Sequence, residues 1–155
     1  MTPKEFQQIY NKALEIAFDA HKGQLDKGGE AYIMHPIRVS QKCKTPQAKI
    51  IALLHDVLED SNITTTQLHE LGIPDEIISF VLILTKEPNK EYKKYIANVG
   101  NFDITTEVKL ADLEDNMNIS RLHEELTEKD YVRLRKYKKA YEYLKGNYSI
   151  YNKTE

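Results

Sequence analysis

The sequence predicts an all-α protein, a single compact bundle of about seven or eight helices. Three observations predict it. Helix start signals recur along the chain, strictly alternating apolar and polar segments are scarce, and helix breakers are thin, with 6 Gly and 5 Pro in 155 residues.

The elements follow in chain order. Thr2-Pro3-Lys4-Glu5 supplies a capping hydroxyl, a proline at the first helical position and a glutamate that reaches back to the cap, so a helix opens there and runs to about His21 with Phe6, Ile9, Leu14 and Phe18 on it. Gly23 to Glu30 holds three of the six glycines and ends that pattern. A second helix starts around Tyr32-Ile33-Met34-His35-Pro36, and Thr45-Pro46 opens a third that contains the run IIALLHDVLED. Thr64-Thr65-Thr66-Gln67 is a further capping box, and Ile73-Pro74-Asp75-Glu76 puts two acids in a first turn, where the helix dipole favours them. The fully apolar stretch Ile77 to Leu84 suits a buried helix or a buried strand, and its start signal decides for helix. Another helix surrounds Tyr92 to Val99, a long one covers Thr105 to about Ile119, and the last runs from Thr127 to Lys145 before Gly146-Asn147. These boundaries give one domain over residues 1–146 and a loosely held tail over 147–155.

Composition narrows the function classes. The chain is 41% hydrophobic and 30% charged, and Lys+Arg of 22 against Asp+Glu of 24 leaves a formal net charge of −2. A balance so near neutral advertises neither nucleic acid nor a membrane surface, so a charged site must be local. No apolar run approaches the roughly 18 to 20 residues of a membrane span, and MTPKEFQQIY lacks the pattern of a secretory leader. A cytoplasmic protein is expected, with homo-oligomerisation left open. Cys43 stands alone, which excludes an internal disulfide and a thiolate zinc cluster, and no base adjoins it to make a nucleophile. Lys129 to Lys145 carries seven basic residues among tyrosines; this is the pattern of a solvated helix face, one side of which draws polyphosphate toward a site.

The chemistry concentrates in a few positions. In IIALLHDVLED, His55 and Glu59 are four residues apart, as are Asp56 and Asp60, so on one helix each pair shares a face. Four ionisable groups in an apolar helix cost several kcal/mol if buried unpaired, and a divalent cation offsets that cost by taking His and Asp as ligands. His35 before Pro36 and Asp112 in VKLADLEDN complete a set of two histidines and two aspartates. Mixed imidazole and carboxylate ligands suit manganese, iron or zinc, and open coordination positions mean catalysis more than scaffolding. His69 and His123 lie on segments that read as exposed helix faces, and His21 ends the first helix.

The order AHKGQ, GGEAYIMHP, LLHDVLEDSNITT, VKLADLEDNM resembles the HD-domain phosphohydrolases, and within them the RelA/SpoT hydrolase domain and the stand-alone, Mesh1-like small alarmone hydrolases. The likeness covers nearly the whole chain. It implies an HD-domain helical bundle in which Mn2+, or another divalent transition metal, is held by His35, His55, Asp56 and Asp112. It also implies that Glu59 and Asp60 position or activate the attacking water. A carboxylate beyond the ligands is well placed to take the proton of a water whose pKa a metal has lowered. Asn116, one turn after Asp112, is in reach of the sugar or the scissile phosphate, Lys27 in the glycine-rich loop of phosphate, and Tyr137 matches a position that lines the nucleotide pocket.

The implied function is metal-dependent hydrolysis of a small phosphorylated nucleotide, with (p)ppGpp 3′-pyrophosphohydrolysis in the stringent response leading. The alternatives are a nucleotide phosphatase acting on another substrate, such as NADPH or a nucleoside monophosphate, and a non-catalytic nucleotide-binding or antitoxin module. Two departures stand out. Asp26 replaces the arginine of the GQ-x-R element, which is implied to pack on the purine, and Leu113, Glu114 and Asp115 replace the Arg-Leu-His of LAD-R-L-H-N.

Overall fold

A computed structural model describes residues 1–122 and 124–152. The expectation for His123, and the last three residues of the expected tail, lie outside the described residues. Among those described, the chain is all-helical; its one sheet-like contact is an isolated bridge between Leu25 and Ala31.

The capping signals set the helix starts. Thr2 and Glu5 form a reciprocal box at the head of α1 (Pro3–Ala20), and Ala13, Ile16 and Ala17 are its buried stripe. After the glycine-rich loop come α2 (Met34–Lys42) and α3 (Pro46–Leu54), the latter capped by the Thr45 hydroxyl. α3 is the axis of the protein: Ala48, Ile50, Ile51, Ala52, Leu53 and Leu54 are all buried, and α1, α2, α6 and α8 pack around it. At about 1.5–3 kcal/mol for each fully buried large aliphatic chain, this helix is held by tertiary contact rather than by propensity.

The run IIALLHDVLED does not form one helix. α3 ends at Leu54, His55 and Asp56 make a turn, and the single-turn α4 (Val57–Asp60) follows. Both residues keep right-handed helical dihedrals, His55 at φ −61°, ψ −27° and Asp56 at φ −105°, ψ −1°, so the junction is a local distortion of the helical path. His55 and Glu59 therefore do not lie on one continuous helix. This division raises the helix number to nine α-helical segments among the described residues.

α5 (Thr65–Glu70) opens on the Thr64–Gln67 box and stops at Gly72, whose φ of +92° needs glycine. α6 (Asp75–Leu84) confirms the helical reading of the apolar run, and α7 (Tyr92–Val99) and α8 (Asp103–Asn116) follow. α8 begins two residues before Thr105 and ends three before Ile119, where the Asn118 side chain caps a 3-10 turn over Ile119–Arg121. α9 (Glu128–Leu144) starts at the Thr127–Asp130 box. The stretch expected to be loose carries a second 3-10 turn, Tyr148–Asn152, in which Tyr148 and Tyr151 pack on Tyr143 with ring centroids 5.1 and 5.6 Å away. Cys43 is buried, and burial pushes its thiol up to about 12. No helix among the described residues is long and apolar enough to cross a membrane.

Candidate metal centre and active-site cavity

Three parts of the fold converge on one point. The first turn of α2 contributes His35, the α3–α4 turn His55 and Asp56, and the middle of α8 Asp112. His35 Nε2 lies 2.9 Å from Asp112 Oδ1 and 3.7 Å from Asp56 Oδ2. His55 Nε2 lies 3.3 Å from Asp112 Oδ1 and 3.1 Å from Asp56 Oδ2. Candidate ligand atoms of His35, His55 and Asp56 lie within 4.8 Å of one another. The sequence-predicted set of two histidines and two aspartates is thus brought together, with both histidines and Asp112 buried.

The other ring nitrogens face outward to fixed acceptors. Nδ1 of His35 is 2.7 Å from Asp115 Oδ2, and Nδ1 of His55 is 2.5 Å from the Ala52 carbonyl. With the proton on Nδ1, each Nε2 presents a lone pair inward, which is how metal-ligating imidazoles are oriented. This donor chemistry fits a divalent transition metal.

Electrostatics agree with the geometry. Burial alone would raise the Asp112 carboxyl, but the Lys109 ammonium and the two imidazoles hold it well below the usual carboxylate range. Burial likewise works against ionised Asp56, and the neighbouring His55 outweighs it. Burial disfavours protonated His35 and His55, yet the carboxylates raise both above the ordinary histidine value. The cluster is a concentration of negative charge that requires cations among its members.

A cavity of about 610 Å³ opens over the cluster and is lined by Glu59, Asp60, Asn116, Lys27 and Tyr137 as well as by His35, Asp56 and Asp112. Glu59 Oε1 accepts the Lys86 backbone N–H at 2.7 Å, which leaves its second oxygen for the cavity. Burial raises the Glu59 and Asp60 carboxyls, with further repulsion from Asp56. Asn116 donates to Asp112 Oδ1 at 3.0 Å, so its amide is tied to the cluster. Lys136 lies over the rings of Tyr92 and Tyr137, 4.7 and 5.3 Å from their centroids. Burial and then the nearby Arg133 lower Lys27, and burial and then the nearby Lys109 and Lys86 lower Lys136, as in a wall of crowded cations.

Sequence reasoning missed several members. Lys109 is partly buried, with Nζ 2.7 Å from Asp112 Oδ2; a lysine three residues before an aspartate on one helix was the available signal. Tyr32 donates its hydroxyl to Asp56 Oδ2, and its ring packs between His21 and His35. Asp115, which the sequence shows only as the loss of a histidine, bonds His35. Asp26 turns its Oδ1 onto the N–H groups of Gly28 and Glu30, both at 2.9 Å, and so spends that oxygen on its own loop. His69 pairs with Asp75 at the surface, away from the cluster, and His21 is buried against Tyr32 without joining the converging atoms.

The all-α fold gathers an adjacent His-Asp pair, a histidine from a second helix and an aspartate from a third, as expected of the HD-domain helical bundle. No family model matches the chain. Its relatives include proteins named as guanosine-3′,5′-bis(diphosphate) 3′-pyrophosphohydrolases and one named as a GTP pyrophosphokinase. It is 38% identical over 122 residues to a guanosine-3′,5′-bis(diphosphate) 3′-pyrophosphohydrolase of Borreliella burgdorferi, a match spanning 68% of this chain and 18% of that protein. A protein of the same name from Aquifex aeolicus is 31% identical over 127 residues, 74% of this chain and 18% of that protein. The chain thus spans less than a fifth of the length of these curated relatives. Among solved structures, a metazoan ortholog of SpoT, described as hydrolysing ppGpp, superimposes with a TM-score of 0.74 at 23% identity over 89% of this chain and 86% of that one. The chain resembles the SpoT-type enzymes in sequence and shares the fold of one of them.

Proposed function

We propose that residues 1–146 form a divalent-metal-dependent phosphohydrolase of a small phosphorylated nucleotide, with removal of the 3′-pyrophosphate of (p)ppGpp as its reaction. The observation that carries this reading is the convergence of His35, His55, Asp56 and Asp112 beside a cavity that His35, Asp56 and Asp112 line together with Glu59 and Asp60. The names of the relatives supply the substrate.

His35, His55, Asp56 and Asp112 would hold the ion, and mixed nitrogen and oxygen donors favour manganese over magnesium. When bound, such an ion supplies Lewis acidity and lowers the pKa of water. The residues do the rest. Glu59, fixed by the Lys86 N–H, and Asp60 beside it accept the proton of the attacking water, and their raised affinity for protons suits them to the task. Lys27, Lys86, Arg133 and Lys136 line the same cavity and attract the phosphates, while Tyr92 and Tyr137 offer apolar faces to the nucleoside. Asn116, held on Asp112, keeps a polar edge toward the substrate. The lone, buried Cys43 fits a reducing cytoplasm.

The deciding experiment measures metal content of the purified protein and, with added manganese, product release from ppGpp, pppGpp, NADPH and simple nucleoside phosphates. Manganese-dependent pyrophosphate release from ppGpp is the expected result. Turnover of another compound alone would move the substrate, and absence of both metal and turnover would sink the reading.

A further inference from the structure

Asp115 is an unusual charge to bury. Its side chain is 2% exposed on α8, one turn from Asp112. A carboxylate in that setting is destabilising unless its oxygens are fully engaged. Arg38 engages both, Nε donating to Oδ1 at 2.8 Å and Nη2 to Oδ2 at 3.1 Å. Arg121 adds its charge at 3.5 Å from Oδ2 and donates to the Asp115 carbonyl at 3.3 Å. Two guanidinium groups would satisfy this buried carboxylate with no need of a histidine. The carboxylate nevertheless sits 2.7 Å from His35 Nδ1, on the side of the ring opposite the metal cluster.

That placement has a chemical consequence. An acceptor at Nδ1 keeps the proton there, holds the ring plane, and leaves the Nε2 lone pair directed at the cluster. His55 receives the same service from a neutral backbone carbonyl, whereas His35 receives it from a full negative charge. The guanidinium pair, reaching also to Glu30 at 3.4 and 4.0 Å, ties Asp115 to the end of the glycine-rich loop.

We infer that Asp115 is a positioning residue for the metal centre, which sets the tautomer and orientation of His35 and strengthens its Nε2 as a ligand. The inference rests on the metal-dependent reading above. It assigns a purpose to a position where this chain departs from the histidine of the alarmone-hydrolase pattern, a purpose distinct from touching substrate.

The test is manganese affinity, followed by electron paramagnetic resonance of the free ion, in wild type and Asp115→Asn. The variant is expected to bind manganese about 10–100-fold more weakly and to recover most of its turnover at saturating metal. An Asp115→Asn dissociation constant within threefold of wild type overturns the inference, because a residue that only anchors Arg38 would lower thermal stability and leave metal affinity in place. A second measurement needs no variant. In wild-type protein loaded with diamagnetic zinc, nitrogen NMR of the imidazoles should show His35 protonated at Nδ1 and ligated through Nε2; the reverse arrangement overturns the proposal. Wild-type protein that takes up neither ion sinks the parent reading and this one together, while metal uptake with an unchanged Asp115→Asn affinity sinks this one alone.

Discussion

Each imidazole of the cluster has one nitrogen committed to an outward acceptor, so what remains for function is a single inward lone pair per ring. The two aspartates differ in the same spirit. Asp112 has Lys109 on Oδ2 and Asn116 and both imidazoles around Oδ1, whereas Asp56 is held by Tyr32 and His55. Removing Asp56 should leave three donors that cannot hold an ion as well as four; Asp56→Ala is expected to lose both bound metal and activity, as read by metal analysis of the purified variant. Full activity with metal still bound would contradict the assignment. Glu59→Gln separates the roles, since glutamine keeps an acceptor for the Lys86 N–H and removes only the proton-accepting charge. It should retain metal and lower turnover by about 10²–10⁴-fold. Stoichiometric loss of metal in that variant would make Glu59 a ligand instead.

At the level of elements, the junctions do more than the helices. The glycine-rich loop passes so close to the 3-10 turn that a Cβ on Gly28 would meet the Arg121 carbonyl oxygen at 2.7 Å, and backbone cannot yield as a side-chain tip does. Gly28→Ala should therefore push the loop off Arg121, lower the melting temperature and weaken substrate binding together; a variant with wild-type melting and KM would show that the contact is slack. The head of α9 carries a different dependence. The Thr127 backbone N–H, then Arg133, lowers the Asp130 carboxyl to about 2. Its ordinary value is about 3.9, so the ionised cap supports the folded state fully above that pH and the support is lost as pH falls toward 2. Acid titration followed by circular dichroism should show wild type losing helix in this window more steeply than Asp130→Asn, and coincident curves would remove the cap from the account.

For the whole molecule, the metal should be a folding ligand as well as a catalytic one. Carboxylates and imidazoles from α2, the α3–α4 turn and α8 meet only when those elements are packed, so an ion binding there stabilises the native state by mass action. At manganese 100-fold above its dissociation constant the gain is about 2.7 kcal/mol. Differential scanning calorimetry should register it as a rise in melting temperature that a chelator reverses. A melting temperature indifferent to both would place the ion elsewhere.

The sequence by itself determined the all-α class, most helix starts and four of the clustered residues, His35, His55, Asp56 and Asp112. Each of these is written locally: a capping box spans four residues, and a charged interruption of an apolar helix is visible without its partner. What only the tertiary structure decided depends on residues far apart in the chain. His35 reaches Asp112 and Asp115 across 77 and 80 positions, and no periodicity reports such a distance. The same holds for the turn at His55–Asp56. Local pattern favours an unbroken helix there, and the structure divides it at His55 and Asp56, where the chain meets α2 and α8. Asp115 is the clearest case, a residue that reads in sequence as a missing histidine and in the fold as the buried partner of one.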